Sequence, residues 1–194
     1  RVYINECRRM GLTVKPPHIN HSKVQFSAAY PQGEPVLYMG LDQIRDLTRR
    51  TQEKIINGRP FITLDDFLAR VDPRQKEAEN LASVGALEGL GAIPALLQRI
   101  SGGKWISQQP GLFNIEEAAA DWRPDEVMLA QQEILGISLA AHPLELHVDK
   151  IIQAGAITTL QAQDKIGEKV SVAGIRQAAH RVRTSKGEAM LFLT

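Results

Sequence analysis

The chain has 194 residues, 43% of them apolar, with 23 Lys and Arg against 22 Asp and Glu and a formal net charge of +1. That length gives one large domain or two to three small ones with real cores, and the charge excludes both a strongly basic histone-like binder and an acidic disordered tail. One cysteine, Cys7, allows neither an internal disulfide nor a thiolate metal cluster, so a reducing, cytoplasmic setting is expected. No apolar run approaches the roughly 20 residues of a membrane span, and no basic-then-apolar leader opens the chain. Arg1 at the start and Met190 to Thr194 at the end, which reads as a strand cut off in mid-sheet, suggest a piece of a longer protein.

Residues 2–10 are predicted to finish a helix at Gly11, and Lys15-Pro16-Pro17 to run extended because each proline restricts the residue before it. Val24 and Phe26, then Val36 and Tyr38, alternate as a hairpin pair does, with Pro31 and Gly33 in the connection. From Asp42 to about Asn57, Ile44, Leu47, Ile55 and Ile56 fit helical spacing, with Gly58 as the stop. Thr63, followed by Asp65 and Asp66, is a candidate N-cap. A third helix is expected from Pro73 to about Val84 and a fourth after Gly91. The stretch from Ser101 to Pro110 reads as a flexible linker, Asp125 to Leu135 as a helix, His142-Pro143 as a break and Leu144 to about Gln153 as helix again. From Lys169 onward, Val170 and Val172, then Met190 and Phe192, follow a strand pattern. The fold class is therefore mainly α with a small β portion.

Charge is unevenly distributed along these elements. Arg45, Arg49, Arg50, Lys54 and Arg59 face only Asp46 and Glu53. Between Asn114 and Asp149 eight acids face the single base Arg123. From Lys165 to Glu188 the bases Lys165, Lys169, Arg176, Arg181, Arg183 and Lys186 again outnumber Glu168 and Glu188. Two basic modules thus flank an acidic connector.

The segment Leu81-Ala-Ser-Val-Gly85-Ala-Leu-Glu-Gly89-Leu-Gly91 places glycines between two short helices. In a helix-hairpin-helix, missing Cβ atoms and unpaired amides at the next helix start let the backbone approach a phosphate and hold duplex DNA without reading its sequence. A plain helix-helix turn with glycine caps would leave the same spacing. An earlier copy is a candidate at Leu41 to Ile56, charged by Arg45, Arg49, Arg50 and Lys54, although Asp46, Leu47 and Thr48 stand where glycines are expected. A solvated basic face is the alternative for that copy.

A resemblance covers nearly the whole chain. Tyr3-Ile-Asn-Glu-Cys-Arg-Arg-Met-Gly11, Pro16-Pro-His-Ile-Asn20-His-Ser22, Tyr38-Met-Gly-Leu41, Pro60-Phe61 with Asp65-Asp-Phe-Leu-Ala-Arg70, Gly85-Ala-Leu-Glu-Gly-Leu-Gly91 and Leu135-Gly-Ile-Ser-Leu-Ala-Ala-His-Pro-Leu144 come in the order of the bacterial replicative polymerase III alpha family. Val172-Ala-Gly174 followed by Thr184-Ser-Lys-Gly187 resembles the first strands of that family's oligonucleotide-binding (OB) fold. The resemblance implies the end of a fingers domain at 1–34, a tandem helix-hairpin-helix region at 35–104, an acidic helical linker at 105–155 and the beginning of an OB-fold β-barrel at 156–194. It implies DNA binding by Gly85, Gly89 and Gly91, by Arg45, Arg49, Arg50 and Lys54, and, in the OB module, by Arg176, Arg181, Arg183 and Lys186, with duplex DNA and a single-stranded template as partners. Phe192 is the one aromatic after Trp122, so base stacking there is weak.

Gln109-Pro-Gly-Leu112-Phe113 looks like the pentapeptide with which bacterial polymerases grip the sliding clamp: Leu112 and Phe113 would fill a pocket while the Gln109 amide makes directional hydrogen bonds. Pro110 and Gly111 are unusual in its middle positions, and a linker is the bland alternative. The implied partners therefore include the clamp and the rest of a replicative holoenzyme, in a bacterial cytoplasm at the nucleoid and with no membrane. The family's palm carboxylates, which hold Mg2+ for nucleotidyl transfer, would lie upstream of Arg1, so no catalytic residue, metal ligand or cofactor is expected in this stretch, and polymerisation by it alone is not. His18, His21, His142, His147 and His180 show no metal spacing. Trp105 and Trp122 are read as anchors of the linker, and Glu116, Glu117, Asp121, Asp125 and Glu126 as solvated acids. Rival readings are the error-prone paralogue of the same polymerase and a noncatalytic repair module joining helix-hairpin-helix motifs to an OB fold.

Overall fold

A computed structural model of the chain describes residues 2–30, 33–102, 120–141, 144–175, 179–183, 187 and 189–193. It forms two compact units, Arg1–Ala141 and His142–Thr194. The fold is mainly helical with small sheets, in agreement with the expected class.

The first unit opens with α1 (Val2–Arg9), followed by β1 (Thr13–Lys15), β2 (Ser27–Ala29) and β3 (Val36–Tyr38). The strands form a sheet of order β1-β3-β2 in which β1 runs parallel and β2 antiparallel to β3. The expected hairpin partner of β3 is thus present, but at Ser27–Ala29 instead of Val24 to Phe26. Val24 is withdrawn from the ladder because its carbonyl accepts from the Asp42 amide, while that of Lys23 accepts from Leu41. A Cβ at Gly40 would collide with the Val24 carbonyl and the Asp42 side chain, so the glycine of the Tyr38-Met-Gly-Leu41 run is there for close approach of two backbones.

Helical periodicity suggests one helix over 42–57, and the structure breaks it in two. A single 3-10 turn at Leu41–Gln43 is followed by Asp46 in the left-handed region (φ 62°), and α2 (Arg49–Gly58) begins only after Thr48, whose hydroxyl caps it by accepting from the Thr51 amide. Ile44, Leu47 and Ile55 are all buried, so the spacing reports a shared core and not continuous helix. Asp is among the few non-glycine residues that tolerate this conformation, and it takes the place of the missing glycine. The other helices come close to expectation. They are α3 (Leu64–Val71), capped by Thr63, α4 (Gln75–Ser83), α5 (Ile93–Ser101) and α6 (Pro124–Ile134). Their apolar faces meet in one core around Phe67, Leu81, Leu87 and Ile100, with Phe61 edge-on to Phe67 at 5.3 Å.

A buried carboxylate stands inside this helical unit. Glu77 is 2% exposed, and its two oxygens take four hydrogen bonds: Oε1 from the Thr48 amide (2.8 Å) and hydroxyl (2.7 Å), Oε2 from the Thr51 hydroxyl (3.0 Å) and the Arg74 amide (2.8 Å). One side chain thereby caps its own helix and fixes the start of α2. Burial pushes the carboxyl pKa up, but the bonds from Thr48, Arg74 and Thr51 together outweigh it and hold it below the ordinary value.

The second unit contains a 3-10 turn (Glu145–His147) running into α7 (Val148–Gln153), then α8 (Thr159–Gln163) and an antiparallel pair of β4 (Ala179–Arg183) and β5 (Ala189–Leu193), in register from Ala179 opposite Leu193 to Arg183 opposite Ala189. Val170 and Val172, predicted as strand, lie in irregular chain. Among the described residues they have no partner strand, and their segment is joined only by the Ile157 amide to the Ser171 carbonyl. None of this unit's side chains described for burial is buried.

Replacing Glu77 with alanine leaves the Thr48 and Arg74 amides without an acceptor in a closed site, so unfolding free energy should fall by about 3 kcal/mol in urea titration. Because its folded pKa is depressed, the Glu77 contribution is complete above the unfolded value near 4.5 and is lost as pH falls below it. Glu77→Gln should remove that acid-side slope in thermal melts.

Candidate nucleic-acid interface

The segment between α4 and α5 folds as the glycine spacing suggests. Gly85, Gly89 and Gly91 all adopt left-handed φ (83°, 88° and 147°). Gly85 ends α4 in a Schellman arrangement, with the Ala86 amide donating to the Leu81 carbonyl (2.9 Å) and the Gly85 amide to that of Ala82 (3.0 Å). A Cβ at Gly85 or Gly89 would meet nothing within 4 Å, so these two are glycines for backbone conformation; at Gly91 it would touch Leu96 at 3.4 Å. Among the described residues the amides of Gly89, Gly91 and Ala92 have no hydrogen-bond partner. The three glycines line a groove of about 430 Å³ together with Pro16, Glu88 and Asp121. Open amides at and beside glycines, just before the start of a helix, suit an anionic oxygen.

Three supports hold this hairpin in place. From the Pro16 to Ser22 loop the Ile19 amide donates to the Ala86 carbonyl (3.0 Å), and Asn20 in turn pairs its side chain with both the amide and the carbonyl of Phe61 (2.9 Å each). Arg59 donates to the Ile19 and Ser22 carbonyls. From α6, buried Gln131 donates to the Val84 carbonyl (3.0 Å) and accepts from the Leu139 (2.7 Å) and Ala140 amides. Asp121 accepts from the Ile93 amide at the start of α5 (2.9 Å) and from that of Trp122 (2.8 Å). Asp121 is exposed, as a solvated acid is expected to be, and it also caps the start of α5 through these bonds. Glu126 and Asp125 are engaged as well, with Arg123. Trp122 is half-buried beside Leu97 and Ile134, as an anchor would be.

The basic residues of the first copy are placed differently. Arg45 is exposed in the turn before α2, its backbone tied to Ile134 and Asn80. Arg49 pairs with Glu53 (3.0 Å), while Arg50 (3.0 Å) and Lys54 (3.9 Å) share Asp72. Such exposed pairs are worth less than about 1 kcal/mol each and can be exchanged for a phosphate, but they cancel part of the local positive field. Glu77 puts the start of α2 beside the start of α4, whereas the glycines follow the other end of α4, about 12 Å along its axis. Arg181 and Arg183 alternate onto one face of β4 in the second unit. Arg176, Lys186, Gln109, Leu112 and Phe113 lie outside the described residues, as do Trp105, His142, Glu116 and Glu117. Among the described residues no group of three His, Cys, Asp or Glu converges on a metal-sized site, and no helix is long and apolar enough to cross a membrane.

Residues 11–94 match the family model described as a helix-hairpin-helix motif, which spans both copies. The fold and the hairpin define a helix-hairpin-helix module. Over 98% of its length the chain is 27% identical to the DNA polymerase III subunit alpha of Halalkalibacterium halodurans, 28% to the error-prone DNA polymerase of Alkalilimnicola ehrlichii and 30% to that of Corynebacterium efficiens. It is a region of the bacterial family C DNA polymerases, and it spans less than one fifth of the length of these relatives.

His18 reports on the contact between the loop and the hairpin. Its Nδ1 accepts from the Asn20 amide (3.0 Å), so the neutral ring carries its proton on Nε2 and donates toward the Glu88 backbone. Burial lowers its pKa most, nearby His21 and Arg59 lower it further, and Glu88 opposes them without reversing the shift. A histidine with a depressed folded pKa contributes full stability above the unfolded value near 6.5 and loses it as pH falls below that value. The melting temperature should therefore drop as pH is lowered from 7 toward 5. The drop should be smaller in His18→Asn, where no proton can be taken up.

Proposed function

We propose that this region holds duplex DNA behind the primer terminus of a bacterial replicative polymerase, through backbone amides of the second hairpin, while the following linker tethers the sliding clamp. The observation that carries the reading is the run of three left-handed glycines, with amides at Gly89, Gly91 and Ala92 that have no hydrogen-bond partner among the described residues. An amide cradle of that kind holds a phosphate whatever the base, which suits a polymerase that must slide. The first hairpin serves mainly as packing: its Arg49, Arg50 and Lys54 are paired, and the N-cap amide of α2 is taken by Glu77. Arg181 and Arg183, with Arg176 and Lys186, would add attraction for single-stranded template in an OB module. Polymerisation itself, with its Mg2+, belongs on this reading to other parts of the enzyme.

Relatives include error-prone polymerases as well as replicative ones. The pentapeptide Gln109 to Phe113 favours the replicative role, since a clamp tether serves long synthesis.

Duplex affinity, measured by fluorescence anisotropy over a salt series, should fall about tenfold in Gly89→Asp, whose carboxylate projects from the amide cradle, and less than threefold in the double variant Arg49→Ala, Arg50→Ala. The reverse order would exchange the roles of the two hairpins. Surface plasmon resonance against the clamp should show binding that Leu112→Ala with Phe113→Ala abolishes and that Gly89→Asp leaves intact.

A further inference from the structure

The groove that holds the open hairpin amides also holds a carboxylate from the chain's own acidic segment. Asp121 Oδ1 lies 2.9 Å from the Ile93 nitrogen, an acceptor placed on the first-turn amide of α5 that a phosphate oxygen would seek. We infer that Asp121 is a built-in anionic competitor at the second hairpin, occupying the α5 amide when DNA is absent and yielding it to a backbone phosphate when duplex docks. The inference rests on the duplex-binding reading of the same hairpin.

The chemistry gives the contact a purpose beyond capping. Were the α5 start bare, each step along the duplex would expose an unpaired amide as one phosphate leaves and before the next arrives. A tethered carboxylate fills that gap at the Ile93 amide alone, so release from that amide costs less, while the amides of Gly89, Gly91 and Ala92 return to water. The same charge repels phosphate and keeps affinity below what the amides alone would give. Glu88, exposed on the hairpin itself, bears a charge near the same groove, but among the described residues its side chain takes no hydrogen bond from the backbone, which makes it the natural control.

Asp121→Asn keeps an acceptor oxygen for the Ile93 amide and removes only the charge. In a titration of the 194-residue chain with primed duplex at low salt it should bind about fivefold more tightly than the parent, with a dissociation rate slowed to match. Glu88→Gln should gain less than twofold. In the parent, the Ile93 amide resonance should move on addition of duplex, and in Asp121→Asn it should start from a different position. If the parent binds duplex and Gly89→Asp loses it, while Asp121→Asn binds no better than the parent, the competition is refuted and the hairpin reading stands. Equal gains from Asp121→Asn and Glu88→Gln also refute it, since net charge alone would explain them. If neither the parent nor Asp121→Asn binds duplex, both readings fall together.

Discussion

The Glu77 carboxylate holds the first unit together. A charge removed from water to 2% exposure is tolerable only if its lone pairs are filled, and here four donors from two helix starts fill them. Because those donors are the N-cap of α2 and the residue opening α4, one interaction fixes the angle and spacing of the two hairpins. Apolar packing around Phe67 and Leu81 supplies most of the stabilisation, but packing alone is non-directional. The carboxylate supplies the direction, and in doing so it takes the Thr48 amide, which could otherwise have faced a phosphate at the first copy.

The second copy is held from behind instead. Ile19 and Gln131 reach backbone carbonyls at Ala86 and Val84, so these two supports take acceptors, and Asp121 takes only the Ile93 amide, which among the described residues leaves those of Gly89, Gly91 and Ala92 open. Bonds to carbonyls stiffen a loop without neutralising the amides it presents. A cradle for an anion must be rigid, or the entropy of ordering it would offset the contacts it makes. The proline-rich loop from Pro16 to Ser22, itself braced by Arg59 and Asn20, therefore acts as a wall for the hairpin and not merely as a connection.

Local signals made much of this legible. Glycines at 85, 89 and 91 could be read because a left-handed turn constrains residue type directly, and Thr63 because an N-cap hydroxyl acts within three residues. The break at Asp46 was hidden, since Ile44, Leu47 and Ile55 satisfy helical spacing while belonging to two elements. Glu77 carried a readable half, the capping position three residues after Arg74, and an unreadable half, its bonds to residues 26 and 29 positions earlier in the chain. Gln131 gave no sequence signal at all, because an amide at the inner face of an amphipathic helix looks like any polar residue until its partners are known. In the second unit the alternation at Val170 and Val172 resembles a strand, but a strand requires a partner as well as a pattern.

Basic charge and open amides are separable means of attracting a polyanion, and this chain puts them in different places. Long-range attraction from Arg and Lys depends on net field, which Glu53 and Asp72 reduce around α2. Amide contacts act only at hydrogen-bond distance, need no net charge and tolerate a neutral overall composition. A chain with a formal charge of +1 can therefore grip a polyanion if its contacts are short and its loop rigid. On the proposed duplex-binding reading, amides that meet a phosphate whatever its base would hold a duplex without fixing it to one sequence, so that it could advance step by step.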